Sequence, residues 1–222
     1  NTGNISLGDS SVGLYGESTA TNYTTSNAGN ITVGKNGIGM FGYASNVNGG
    51  TITVGDEGVG VYSQGGNVNL VGGTIATGAS EAVGVYTVGS GQTITSTGTT
   101  FNLGDTSFGF VNVGTGNNIT STGGTATLGN DGVFIYSSDK ANTINNSTNI
   151  SSTGSIGKNY GIYASGTVNN SGNMNLSNGV GNLGIYITNG GTGRNSGNIT
   201  VGASDDPNGF YSIGMAAGYV GD

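Results

Sequence analysis

Grouped carboxylates are the reactive groups most plainly on offer in this sequence. Asp9, Asp56, Asp105 and Asp131 each stand one or two residues after a recurring glycine. Two carboxyls about 5 Å apart, or about 6.5–9.5 Å apart, cleave a glycosidic bond with retention or inversion. In the repeat set out below, Asp56 and Asp105 fall two steps apart, roughly 10 Å at a strand spacing of about 4.8 Å. Lys35, Ala79 and Lys158 share their column, so it reads as a solvated turn that tolerates any polar residue. Asp205-Asp206-Pro207 reads as a loop turn. Calcium-binding nonapeptides need an Asp at every turn, and that spacing is missing, as is an EF-hand loop. The chain has no histidine and no cysteine. That removes imidazole catalysis, thiolate nucleophiles, thiolate zinc sites and haem attachment. The glycines recur with the repeat and do not lead into helices, so they are not phosphate-binding loops. No catalytic residue, metal site or cofactor is expected.

The more specific surface feature is aromatic. Tyr15, Phe41, Tyr62, Tyr86, Tyr136, Tyr163, Tyr186 and Tyr211 recur at one place in successive repeats, with Val111 interrupting them. Where Val12 and Leu14 point inward, alternation turns Gly13 and Tyr15 outward. That predicts an aromatic stripe beside a glycine groove, suited to stacking on sugar rings or to receiving an apolar partner strand. The same repetition suits a structural ladder in which each ring covers the next, and the residues leave both readings open. A corner inside this run reverses the parity.

What positions these residues is a repeat. GNISLGDSSVGLYG begins at Gly3, GNITVGKNGIGMFG at Gly29 and GTITVGDEGVGVYS at Gly50. The series continues through Gly73, Gly98, Gly124, a shortened copy at Gly154, and Gly172 to Gly197. Eight intervals cover Gly3 to Gly197, a mean period of about 24 residues. Each unit holds two apolar runs with strand alternation. Ile5, Ile31, Ile52, Ile75, Phe101, Ala126, Met174 and Ile199 form one inward row. Leu7, Val33, Val54, Thr77, Leu103, Leu128, Ile156, Leu176 and Val201 form a second. In the second run both members of the pairs Val12/Leu14, Ile38/Met40, Val59/Val61, Val83/Val85, Phe108/Phe110 and Val133/Ile135 are expected inside. A weaker third position comprises Val47, Val68, Ile94, Ile119, Ile144 and Val168.

Three short strands and three turns per unit describe one coil of a right-handed parallel β-helix. The fold class is all-β: a three-strand solenoid of about nine coils of about 24 residues, with residues 1–222 as one unit. A hairpin sheet would need complementary two-residue turns and would not repeat identical side chains at a fixed period. No coil stands alone, because the backbone entropy of about 24 residues, roughly 1–2 kcal/mol each, exceeds what six inward side chains recover; stability is collective. Gly8, Gly34, Gly55, Gly78, Gly104, Gly129, Gly157 and Gly202 follow the first strand and are expected at left-handed corners. Longer coils are expected near Thr19–Ser26 and Thr143–Ser152, where protruding loops carry binding residues.

Composition narrows the function. The chain has 222 residues, 48 of them glycine, and only 7% charged, against about 25% in ordinary soluble domains. A net charge of −7 with four scattered cations, Lys35, Lys140, Lys158 and Arg194, excludes the basic surface that nucleic acid requires. No apolar run reaches the roughly 18 residues that span a membrane, so this segment is not membrane-inserted. The outward column Ser6, Thr32, Thr53, Ala76, Asn102 and Thr127 is too narrow and irregular for an ice-binding array. The chain opens at Asn1 inside a repeat, and is read as a segment of a longer protein.

The recurring G-N-I-T-V-G-x-x-G-I/V-G-M/V-Y/F unit, found from Gly3 to about Tyr211, resembles passenger domains of bacterial type V autotransporters. It is most similar to the very large fusobacterial autotransporter adhesins. The resemblance implies an extracellular passenger at the bacterial cell surface, anchored by a C-terminal outer-membrane barrel outside this segment. It implies a structural stalk, attachment to host cells or other bacteria, or both, with surface proteins or glycans as partners. No residue-level binding motif carries over. The rival from another class is a polysaccharide-degrading β-helix enzyme, which calls for a cleft of carboxylates with Arg or Lys on one face.

Overall fold

A computed structural model describes residues 1–17 and 23–218. The chain winds as a parallel β-solenoid with three sheets running along its length. The first sheet stacks nine strands, from Asn4–Ser6 to Ile199–Ala203, and the second stacks nine, from Val12–Tyr15 to Ile213–Gly218. The third stacks eight, from Thr24–Asn27 to Thr192–Asn195. Each strand pairs in parallel with its counterparts one turn away, as Ile31 with Ile5 and with Ile52. Nine strands make eight complete turns. In the first sheet the step varies from 21 residues between Ile31 and Ile52 to 26 between Ile75 and Phe101, and in the second it reaches 30 between Leu183 and Ile213. Among the described residues the sole helical element is a short 3-10 turn, Asp206–Asn208.

The interior follows from the alternation. Ile31, Ile52, Ile75, Phe101, Ala126 and Met174 are buried in one row, Val33, Val54, Leu103, Leu128 and Leu176 in the next. Val68, Ile94, Ile119, Ile144 and Val168 stack in register inside the third sheet. Val47 is buried too, but pairs with Leu70 in the neighbouring inner row. The rest of that row turns polar: Asn146 Nδ2 donates to Asn170 Oδ1 at 2.7 Å, and Asn170 Nδ2 to Asn195 Oδ1 at 2.7 Å. Stacking like residues about 4.8 Å apart makes a charged column self-repelling. Amides and hydroxyls both donate and accept, so a column of them satisfies itself. The scarcity of charge in the composition has this physical cause.

Four expectations are corrected. The coil after Leu128 begins earlier than its shortened motif indicates. Ile150 stacks between Ala126 and Met174, and buried Ser152 takes the place opposite Leu128. Ile156 is 56% exposed, because the first corner of that coil is lengthened. Second, Thr143–Asn146 and Asn149–Ser152 are regular strands, as is Thr24–Asn27; Thr19–Asn22 lie outside the described residues. Eight positions do separate the strand ending at Tyr15 from the one starting at Thr24; the extended corners between strands of the first and second sheets are 153–159 and 204–212.

Third, the corner glycines beyond Gly8 are required by space and not, except at Gly157, by a left-handed backbone. A Cβ on Gly55 would lie 2.7 Å from both Gly34 C and Lys35 N, so stacked corners leave no room for a side chain. The left-handed residue comes two positions later, at Ser10, Asn36, Glu57, Thr106 and Asp131. Fourth, the second-sheet strands carry a kink. In Ile38–Gly42, Gly39 and Met40 both face the interior, while Ile38 and Phe41 lie outside, half-buried. Cross-strand pairing passes from Ile38 to Met40 and skips the glycine. A Cβ on Gly39 would sit 2.6 Å from Ile52 Cγ2. The bare backbone settles onto the isoleucine row, and that extra inward residue pushes the preceding one out.

Candidate functional site

This kink builds the most distinctive surface of the molecule. Of the residues expected inside at the start of second-sheet strands, Val12, Ile38, Val59, Val83 and Phe108 stand on the outer face, while Val133 is buried. They run beside the aromatic column, three residues on. There is therefore no glycine groove: the aromatic stripe is flanked by an aliphatic and aromatic column, and the face is apolar and two columns wide.

Tyr15 and Phe41 stack with ring centroids 5.4 Å apart and an interplanar angle of 4°. Phe41, Tyr62 and Tyr86 continue at 5.1 and 5.2 Å with tilts of 50° and 49°. Beyond the interruption, Tyr136, Tyr163 and Tyr186 resume at 5.6 and 5.2 Å. Tyr160, in the neighbouring column, meets Tyr163 edge-on at 5.5 Å. The ring spacing slightly exceeds the strand spacing of about 4.8 Å, and three of the five pairs within the column tilt. Tyr15 is 70% exposed at one end, and the rings between are half-buried against each other. Burial pushes the Tyr160 and Tyr163 phenols above the ordinary tyrosine range, and neighbouring tyrosines add to it.

Tyr211 does not belong to the column. Tyr186 pairs with Ala216 in the last strand, so alanine holds the ninth place. Tyr211 sits on the lengthened corner, its hydroxyl donating to Asp206 Oδ1 at 2.7 Å. The repeat motif breaks there because the insertion carrying Asp205-Asp206-Pro207 separates strand from corner. The same corner brings Phe210 over the outer face, and Lys158 Nζ lies 4.1 Å from the centre of its ring.

The column breaks at Val111, which pairs with Tyr86 on one side and Tyr136 on the other. A notch of about 280 Å³ opens there, lined by Glu81, Val83, Tyr86, Phe108, Val111 and Tyr136. Phe108 reaches from the neighbouring column to meet Tyr136 edge-on, centroids 6.4 Å apart. The interruption is visible in the sequence. That it opens a cavity depends on Phe108 facing outward, which strand alternation alone misassigns.

The acidic column has a different occupation. Asp9 Oδ1 accepts the Lys35 amide at 2.8 Å, Asp56 Oδ1 the Ala79 amide at 2.7 Å, and Asp105 Oδ1 the Asn130 amide at 2.7 Å. Asn130 Oδ1 in turn accepts from Ile156 at 2.8 Å. Each side chain closes the open backbone of the next corner. Lys35 also pairs with Glu57 at 2.9 Å, which holds its ammonium pKa above the ordinary value. No group of three or more His, Cys, Asp or Glu side chains gathers around a metal position among the described residues. None of their helices is long and apolar enough to cross a membrane.

No family model matches the chain, and no curated protein or solved structure matches it either.

Proposed function

We propose that this chain is a segment of an extracellular adhesin passenger, a rod whose second sheet forms an attachment face toward host-cell or bacterial surface proteins or glycans. The observation that carries the reading is the apolar face two columns wide, with partly exposed rings running from Tyr15 to Tyr186 and interrupted at Val111. Contiguous apolar surface of that extent on a water-exposed rod marks an interaction surface. Aromatic rings at regular spacing bring large contact area with little side-chain entropy to lose. The low charge and absence of cysteine accord with the resemblance of the repeat to autotransporter passengers. An outer-membrane barrel elsewhere in the full-length protein belongs to the same proposal. The observations favour attachment over polysaccharide cleavage, because Asp9, Asp56 and Asp105 are engaged with backbone amides and the lysine beside Asp9 and Asp56, Lys35, is paired with Glu57.

The test is binding of the purified chain to host cells, to other bacteria and to a glycan panel, beside Tyr62→Ala and Tyr163→Ala. Saturable binding that both substitutions weaken, with circular dichroism unchanged, is the expected result. Binding to none of the three would make the segment a spacer and end the attachment reading.

A further inference from the structure

The break in the aromatic column has the dimensions and charge of a cation site. We infer that the notch at Val111 binds a quaternary ammonium group of the choline class. The inference deepens the attachment reading by naming a ligand chemistry at one point on the apolar face.

Three observations carry it. The first is spacing. Val111 stands one strand step from Tyr86 and one from Tyr136, so a group seated over it lies about 4.8 Å from each flanking position. Cations are attracted to an aromatic face within about 6 Å of its centre. A planar group stacked on one ring would leave the other out of contact, whereas a rounded trimethylammonium head reaches both. The second is composition. Tyr86, Phe108 and Tyr136 line the notch together with Val83 and Val111, and the one charged residue lining it is Glu81. Methyl groups find apolar walls and the positive charge finds three rings and a carboxylate. The third is the disposition of competing cations. Lys35 is held by Glu57 at 2.9 Å and Lys158 lies over Phe210 at 4.1 Å, so neither lysine of this corner column lines the notch. The contact of Lys158 with Phe210 is itself a cation on an aromatic face, on the same side of the rod.

The geometry also selects against neutral and anionic ligands. A sugar ring needs several hydrogen-bond partners, and the lining offers a carboxylate and two phenols in a wall that is otherwise apolar. An anion would meet Glu81 with no Lys or Arg beside it.

The experiment titrates the purified chain with choline and with tetramethylammonium, followed by NMR of the ligand methyls and tyrosine rings. Dimethylbutanol, the uncharged carbon analogue of choline, is titrated in parallel. The expected result is saturable binding of both cations with a dissociation constant on the order of millimolar, and little binding of the analogue. Tyr136→Leu weakens it about tenfold, and Glu81→Gln weakens it by a smaller factor. Val111→Tyr, which restores the ring the column lacks, abolishes it. Glu81 lies on an exposed corner, so Glu81→Gln tests the site even if Val111→Tyr fails to fold. Absence of saturable binding, equal binding of the uncharged analogue, or binding that survives both Val111→Tyr and Glu81→Gln overturns the inference. Absence of cation binding in the parent chain with cell attachment intact removes this inference alone. Cation binding without attachment removes the broader reading instead.

Discussion

Phe134 packs against Phe101 with ring centroids 5.3 Å apart at 72°, inside a solenoid that has glycine at the position of Phe134 in its other turns. Phe110 completes the cluster, 5.6 Å from Phe134 and 5.0 Å from Phe101. The same turn carries Ala126 in the row otherwise filled by Ile, Phe or Met. The extra ring and the missing branched side chain balance in volume within one layer of the core.

That balance predicts coupled substitutions. Phe134→Ala removes a fully buried ring and is expected to cost about 3–5 kcal/mol. Ala126→Ile overfills the layer and costs about 1–3 kcal/mol. The double variant Ala126→Ile with Phe134→Gly restores the pattern of the other turns. It is expected to be more stable than the sum of its single changes allows. Urea unfolding of the variants measures this; strict additivity would show that the two positions do not share the layer.

The stacked corners predict a position dependence within one column of glycines. At Gly55 a Cβ meets backbone of the preceding turn at 2.7 Å, whereas at Gly8 nothing lies within 4 Å. Gly55→Ala is expected to cost about 1–3 kcal/mol through overpacking, and Gly8→Ala close to nothing. Equal effects at the two sites would mean that backbone freedom, and not space, selects glycine there.

The corner carboxylates are expected to act on stability alone. Asp56→Ala and Asp105→Ala each remove an acceptor from a backbone amide of the next turn. Each should lower stability by about 1 kcal/mol. Reducing-sugar assays on pectin-like and mucin-like glycans should show no sustained activity in the parent chain. Activity lost in either variant would replace the attachment reading with an enzymatic one.

The tyrosine ladder predicts alkaline sensitivity. Tyr160 and Tyr163 hold their protons more tightly in the fold than in the unfolded chain, chiefly through burial. Above about pH 10, the ordinary tyrosine value, the unfolded chain sheds protons that the fold retains. Stability therefore falls as pH rises through the folded-state values, and is unaffected by these groups below pH about 10. Tyr160→Phe should flatten the decline, as followed by urea unfolding across alkaline pH with tyrosinate absorbance alongside. A decline of unchanged slope would locate the sensitivity elsewhere.

The sequence by itself determined the solenoid. Ile31, Ile52 and Ile75 recur because equivalent residues stack, and a repeating inward row is the one-dimensional trace of a parallel helix of strands. It also marked the aromatic column and its gap at Val111. Tertiary structure decided which way each residue beside that column faces. Gly39 and its equivalents sink onto the isoleucine row and reverse the alternation, and period-two reasoning holds only while the strand is unbent. The same contact between turns decided why corners carry glycine, why the carboxylates serve backbone amides, and where the long corners lie. Those are relations between residues about 25 positions apart in the chain but one strand spacing apart in space, and packing across that gap is set by the shapes that meet there.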